Sequence, residues 1–260
     1  MSATEVVRRV SAWLLALSTV AVLLFVDNIH WLLTRLHEYN ALHRNHAWYY
    51  AESIDKVAGV VLCIAVVWCI RREGLSDVLG ELGLTAAILP ALGFALVCSA
   101  PMLVGFAITR HFSPGDSTLP MLFLTVFAPI AEEIEYRGFG VRQFQRGTGW
   151  PFWLVVWPAA IIFAWGHVEQ GASWDEKFGI FVITGAGAVV FAWLLQQWQN
   201  LWFPIMLHIT MNLWWELFSV ARTAVGGWFP FALQSLTMLL AIIVTLLKAR
   251  NGPLAQAENV

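Results

Sequence analysis

The sequence predicts an all-α protein, a polytopic membrane bundle of about eight transmembrane helices around an internal polar active-site cavity. The first observation is composition: 59% of the 260 residues are hydrophobic and 12% are charged, and the mean hydropathy is +0.68. So few charged side chains cannot cover a water-facing surface. The second observation is a series of long apolar runs, and the third is a small set of polar residues inside those runs.

Eight apolar segments are candidates for membrane spans. The first lacks a convincing cleavage site and is long for the core of a signal peptide, so we interpret it as a retained span. The second is short and is expected to begin near Trp48, while Pro90 and Pro101 are expected to kink the third. The predicted spans cover residues 10–26, 48–70, 84–109, 119–145, 150–167, 178–198, 201–220 and 229–247, with a polar loop over 168–177.

The distribution of basic residues predicts that both ends of the chain are cytoplasmic. In this orientation eight basic residues face the cytoplasm and six face the opposite side. The cytoplasmic set is Arg8, Arg9, Arg71, Arg72, Arg142, Arg146, Lys248 and Arg250, and the opposite set is Arg35, Arg44, Lys56, Arg110, Lys177 and Arg222. The formal net charge of −2 argues against a nucleic-acid partner.

The first polar cluster is Glu-Glu-x-x-x-Arg at the end of an apolar run. Glu133 and Arg137 are four residues apart, so on a helix they share one face and can form an ion pair. Glu132 is rotated by about 100° from Glu133 and faces elsewhere. The alternative is a solvated helix end that carries an ordinary surface ion pair.

Two further clusters contain histidine. Phe163 lies one turn before His167, so its ring can pack against the imidazole, and Gly166 allows another chain segment to come close. His208 and Asn212 share a helical face in the middle of an apolar run. The alternatives are a histidine at the end of a span and a polar contact between helices.

The combination of these clusters carries more information than each cluster does. Polar groups on three separate spans are costly in lipid, so convergence on one internal cavity is expected. A carboxylate that activates water, an imidazole that orients it and further donors for an oxyanion are suited to hydrolysis.

Glu-Glu-x-x-x-Arg, Phe-x-x-x-His and His-x-x-x-Asn, in this order on separate hydrophobic segments, resemble the motifs of the CAAX-protease and bacteriocin-processing (abortive-infection) family. Members of this family are polytopic intramembrane endopeptidases. Tyr136 stands where the family usually has phenylalanine. The resemblance divides the chain into N-terminal helices without a recognised motif (1–118), a catalytic core (119–220), and a final helix with a polar tail (221–260).

The resemblance also implies residue roles. Glu132 and His167 would activate the attacking water, and His208 and Asn212 would stabilise the oxyanion, while the Glu133–Arg137 ion pair and Phe163 would support the site. A glutamic-type protease without a cofactor is favoured. In the alternative, Glu132, His167 and His208 would bind zinc and leave a position open for water, although the His-Glu-x-x-His motif of zinc proteases is absent from the sequence.

The predicted function is that of an intramembrane endopeptidase that cleaves near the terminus of a membrane-associated protein or peptide. Its partners would be the bilayer and this substrate, and its location the cell membrane of a bacterium. By family analogy the substrate would be a prenylated tail, a bacteriocin-type leader or a sorting tail, with secreted or surface peptides favoured. The alternatives are a non-catalytic membrane immunity or interaction protein of the same fold and a proton-coupled transporter.

Overall fold

A computed structural model of the chain describes residues 3–44, 47–71, 74–114 and 117–250. These residues form helices and no strand. The helices are α1 (Ala3–Asp27), α2 (Ile29–Leu33), α3 (His37–Arg44), α4 (Trp48–Arg71), α5 (Leu75–Leu82), α6 (Leu89–Thr109), α7 (118–148), α8 (Phe152–Gly166), α9 (Trp174–Trp198), α10 (Trp202–Leu217) and α11 (Trp228–Arg250), with a 3₁₀ turn at Val168–Gln170.

The predicted fold class, a polytopic helical bundle, is confirmed, and the eight predicted spans correspond to α1, α4 and α6 to α11. Among the described residues, five helices are long and apolar enough to cross a membrane by length and composition, namely α4, α6, α8 with its 3₁₀ extension, α9 and α11. The outer faces of these helices carry large exposed hydrophobic side chains, such as Val97, Ile108 and Trp153. Such faces suit contact with lipid.

Successive long helices run in alternate directions, so the bundle has two distinct ends. At one end, which we call the closed end, the connection before α6 bonds to the connection before α10: Leu201 N donates to Gly83 O, and Asn200 Nδ2 donates to Ala87 O. The start of α1 also lies there, with the ring centroid of Trp13 4.7 Å from that of Trp150. The opposite end, which we call the cavity end, contains the connections after α1, α6, α8 and α10.

One predicted boundary and one predicted kink are wrong. The segment 174–177 is the first turn of α9 rather than loop, because Ser173 and Glu176 form a capping box that satisfies backbone N–H groups at the start of the helix. Pro90 lies in the first turn of α6, where a missing N–H costs nothing, so Pro101 is the proline inside that helix.

Helix α7 is the central element of the bundle and packs against α1, α4, α5, α8, α9 and α10. It is continuous but contains two π-helical stretches, Phe123–Phe127 and Glu133–Gln143. Two glycines in the second stretch allow close packing: a Cβ on Gly138 would lie 3.3 Å from a methyl of Leu201, and one on Gly140 would lie 3.0 Å from a methyl of Leu23. π-helical turns are rare and are frequent at functional sites.

Candidate active site

The bundle contains a cavity of about 1590 Å³, lined by residues of α1, α4 and α7 to α11. At the cavity end the loops after α1, α8 and α10 contribute His30, Gln170 and Arg222 to its wall. Most of the site residues predicted from the sequence line it: Glu132, Arg137, Phe163, His167, His208 and Asn212. Glu133 lies behind this wall with a fully buried side chain.

Glu132 is the last residue of a regular α-helical segment of α7, directly before the second π stretch. Its Oε1 lies 3.0 Å from the Nζ of Lys56 on α4. The side chain of Glu132 is 13% exposed and that of Lys56 is 24% exposed, and both line the cavity. The carboxylate therefore faces the cavity as predicted, but beside it lies Lys56, which the charge distribution had placed on the membrane side opposite the chain ends.

Glu133 is bonded on the opposite side of the helix. Its Oε1 lies 3.2 Å from an Nη of Arg137, so the predicted i,i+4 ion pair is present. The same oxygen accepts a hydrogen bond of 2.9 Å from Nδ1 of His208. Because a carboxylate only accepts, this nitrogen carries a proton and Nε2 is the ring nitrogen left for a ligand. Glu133 thus orients His208, which the sequence did not predict.

Two phenylalanine rings enclose the guanidinium of Arg137. Its Cζ lies 4.3 Å from the ring centroid of Phe163 and 5.5 Å from that of Phe191. A guanidinium is weakly hydrated and stacks well on aromatic faces, which makes this the cation best suited to such a site. The ring of Phe163 also packs on His167, with 4.4 Å between centroids, as the spacing predicted.

His167 ends α8 and is held by the carbonyl of Phe163, which lies 2.7 Å from Nδ1. A carbonyl oxygen only accepts, so Nδ1 donates and Nε2 remains as the nitrogen that can accept or pass a proton. Asn212 is held in a similar way, since its Nδ2 donates to the carbonyl of Leu124 at 3.0 Å. That carbonyl belongs to the first π stretch of α7.

A third contact network joins two further polar residues, Tyr136 and Asp27. The hydroxyl of Tyr136 donates to Oδ1 of Asp27 at the end of α1. A Cβ on Gly166 would lie 2.7 Å from the same oxygen, so this glycine permits the close approach that the sequence predicted. The hydroxyl is the group that phenylalanine, the usual family residue, would lack. Helices α1, α7 and α8 are thereby joined beside the cavity.

Glu135 received no role from the sequence and does not line the cavity. Its side chain is 1% exposed, and a Cβ on Gly59 of α4 would overlap its Oε1. This oxygen has no hydrogen-bond partner in the described part of the chain. Glu135 therefore occupies the contact between α4 and α7, one turn away from the Lys56–Glu132 pair.

Within the described residues no three His, Cys, Asp or Glu side chains are grouped so that they could hold a metal ion. The alternative zinc set consists of Glu132, His167 and His208. The ammonium group beside Glu132 would repel a dication. The two histidines are held through Nδ1 by the Phe163 carbonyl and by Glu133, an arrangement that leaves Nε2 of each ring free for a ligand.

The fold and the cavity define a polytopic helical membrane protein with a cluster of polar residues inside the bundle. Residues 114–214 match the family model described as type II CAAX prenyl endopeptidase Rce1-like. This match agrees with the resemblance seen in the motifs, and at a coarse level it indicates an intramembrane protease of the CAAX type. It covers about two fifths of the chain and excludes Lys56 and Asp27. No curated protein and no solved structure matches the chain.

Proposed function

We propose that this protein is a glutamic-type intramembrane endopeptidase that hydrolyses a peptide bond near the terminus of a membrane-associated protein or peptide. The observation that carries the proposal is the position of Glu132 in a cavity shared with His167, His208 and Asn212. Each of the three partners comes from the helix or helix end that the motif spacing predicted. A carboxylate among imidazole and amide donors has the groups that peptide hydrolysis requires.

In this mechanism Glu132 takes a proton from the attacking water as its oxygen bonds to the scissile carbonyl carbon. His167, with Nδ1 on the Phe163 carbonyl, orients the water through Nε2. The proton then passes from Glu132 to the leaving amine nitrogen, so the carboxylate is regenerated at the end of the cycle. General acid–base catalysis of this kind contributes roughly 10²–10⁴-fold to a rate.

Asn212 and His208 stabilise the oxyanion of the tetrahedral intermediate. One N–H of the Asn212 amide donates to the Leu124 carbonyl. Because the amide group is planar, this hydrogen bond also fixes the direction of its second N–H. Donation from His208 requires a proton on Nε2 in addition to the one on Nδ1, so the ring acts as an imidazolium in this step. Glu133 faces that ring at 2.9 Å and stabilises its positive charge.

The orientation of the bundle narrows the substrate class. Lys56 lies inside the bundle, so it no longer counts among the basic residues on the side opposite the chain ends. The count is then eight basic residues on the side of the chain ends and five on the opposite side. The positive-inside rule then favours a cytoplasmic closed end and a cavity open to the other side. The substrate is accordingly a segment that has already crossed the membrane, such as a secreted or surface peptide.

Reporter fusions test this orientation. Alkaline phosphatase, which folds only outside the cytoplasm, should be inactive when fused after Arg250 and active when inserted in the loop 218–227 between α10 and α11. The opposite pattern would place the cavity on the cytoplasmic side and would favour cytoplasmic tails as substrates.

The catalytic assignment is tested by Glu132→Gln, which keeps the shape of the side chain and removes the base. Cleavage of a panel of fluorogenic peptides with an apolar tail at either terminus, by protein in liposomes, is expected to fall by at least ~10²-fold. The matched control is Glu38→Gln, an exposed glutamate of α3 that does not line the cavity, and it should retain full activity.

Two results would overturn the proposal. Undiminished cleavage by folded Glu132→Gln protein would show that Glu132 is not the base. If the wild-type protein itself cleaves none of the peptides, an immunity or interaction protein, or a transporter, would be favoured. The wild type should also stay active after exhaustive chelation and contain no stoichiometric zinc, since the proposed mechanism uses none.

A further inference from the structure

We infer that Lys56 is a positioning residue for the chemistry at Glu132: its ammonium holds the carboxylate ionised and keeps one of its oxygens directed into the cavity. This inference rests on the proposed function. Lys56 Nζ lies 3.0 Å from Oε1 of Glu132. The residue lies on α4, outside the segment 114–214 that matches the family, and belongs to none of the three motifs.

The location of Lys56 argues against an ordinary surface ion pair. It lies two turns into α4, directly before the apolar run 57–70, in a helix with the length and hydropathy of a membrane span. A lysine near a helix end usually extends its long side chain towards water. Here the side chain of Lys56 is only 24% exposed, and its ammonium contacts Glu132 instead.

The geometry of the contact leaves the carboxylate able to react. The ammonium contacts Oε1, and we assign Oε2 as the oxygen that takes a proton from water. Holding one oxygen restricts rotation of the carboxylate and fixes the direction of the other. Such orientation of a reacting group lowers the entropic part of a barrier.

The charge of Lys56 acts on Glu132 together with other nearby groups. Titratable groups near Glu132 are Lys56 from α4, His167 from the end of α8, His208 from α10, and Glu135 and Tyr136 from α7 itself. Lys56 in turn faces Glu52 of its own helix, Glu135 of α7, Asp27 at the end of α1 and His167. Lys56 is the permanent cation in contact with the carboxylate, and because both side chains are mostly buried its field is screened less than at an exposed surface.

Lys56 forms and breaks no bond in the proposed reaction. The proton from water moves to Oε2 of Glu132 and later to the leaving amine, while the ammonium remains charged throughout. Its predicted effect is therefore on kcat and on the pH range in which the base is ionised, and not on the binding of the peptide.

The test compares Lys56→Met with wild type over a range of pH. At neutral pH the kcat of the variant should fall by at least ~10-fold with little change in KM. The acid side of its activity profile should move to higher pH by about one unit, because the carboxylate has lost its neighbouring cation. The matched control, Lys177→Met, removes the Lys177–Glu169 pair outside the cavity and should leave kcat and profile unchanged.

A wild-type pH profile and kcat in folded Lys56→Met protein would overturn the inference. If that variant does not fold, Lys56→Arg decides, because it keeps the charge but places it differently. A lower kcat with the wild-type pH profile is then expected, and an unchanged kcat would exclude a positioning role. Activity of Glu132→Gln protein would refute the proposed function itself, so the two failures are distinguishable.

Discussion

The closed end and the middle of α7 use charged side chains in different ways. At the closed end Arg146 lies 3.0 Å from Glu81 of α5, and Arg142 Nε donates to the Glu81 carbonyl at 2.8 Å. The side chain of Arg146 is 38% exposed and that of Glu81 is 24% exposed. Half a helix away, Glu133 and Arg137 are 0% and 2% exposed. The first set attaches a short helix at the water boundary, whereas the second lies in the interior.

Neighbouring residues in the middle of α7 can differ as much as these two regions do. Glu132 has one cation at one oxygen and faces the cavity, while Glu133 is fully buried between Arg137 and His208. A buried carboxylate with two cationic or donor partners is part of the structure and cannot also serve as a base. The comparison therefore separates a carboxylate that joins neighbouring helices from one that faces the cavity, which is the carboxylate proposed above as the base.

The largest expected effect comes from breaking the interior pair. Arg137→Met removes the guanidinium between Phe163 and Phe191 and leaves the buried Glu133 carboxylate with His208 alone. Loss of one partner of a buried ion pair costs about 3–5 kcal/mol of unfolding free energy. The measurement is reversible unfolding in mixed micelles, together with the yield of folded protein and the rate of peptide cleavage.

A double variant sharpens this result. Glu133→Gln combined with Arg137→Met removes both charges, so it should recover part of the lost stability while cleavage stays low, because His208 has lost its orienting carboxylate. If Arg137→Met alone were as stable as wild type, the interior pair would not hold the bundle, and the distinction from the closed end would fail.

The sequence predicted the parts of the site that depend on local spacing. The Glu133–Arg137 pair and the Phe163–His167 contact both join residues four apart, and such neighbours meet on any helix. Each of the eight predicted segments corresponds to a helix, and five of these helices are long and apolar enough to cross a membrane. The capped start of α9 was missed because polar residues before an apolar run suit a loop as well as a first helical turn.

The parts that were missed depend on packing between distant helices. Lys56 is 76 residues from Glu132, and His208 is 75 residues from Glu133, so no spacing rule relates them. The only local signal for Lys56 was a single lysine before an apolar run. The π stretches of α7 were also missed, and the second of them contains Gly138 and Gly140, which pack closely against residues distant in the sequence.

The smallest expected effect is at the closed end. Arg146→Gln or Glu81→Gln breaks a pair that is partly exposed to water, and such pairs contribute about 0–1 kcal/mol to stability. Peptide cleavage per folded molecule should match wild type, because neither residue lines the cavity. The same micelle unfolding and cleavage measurements apply, and the small effect should shrink further at high salt, since an exposed pair is screened. A loss of unfolding free energy as large as that of Arg137→Met would contradict this prediction. It would mean that the ion pair between α5 and α7 at the water boundary stabilises α7 as strongly as the ion pair in the interior.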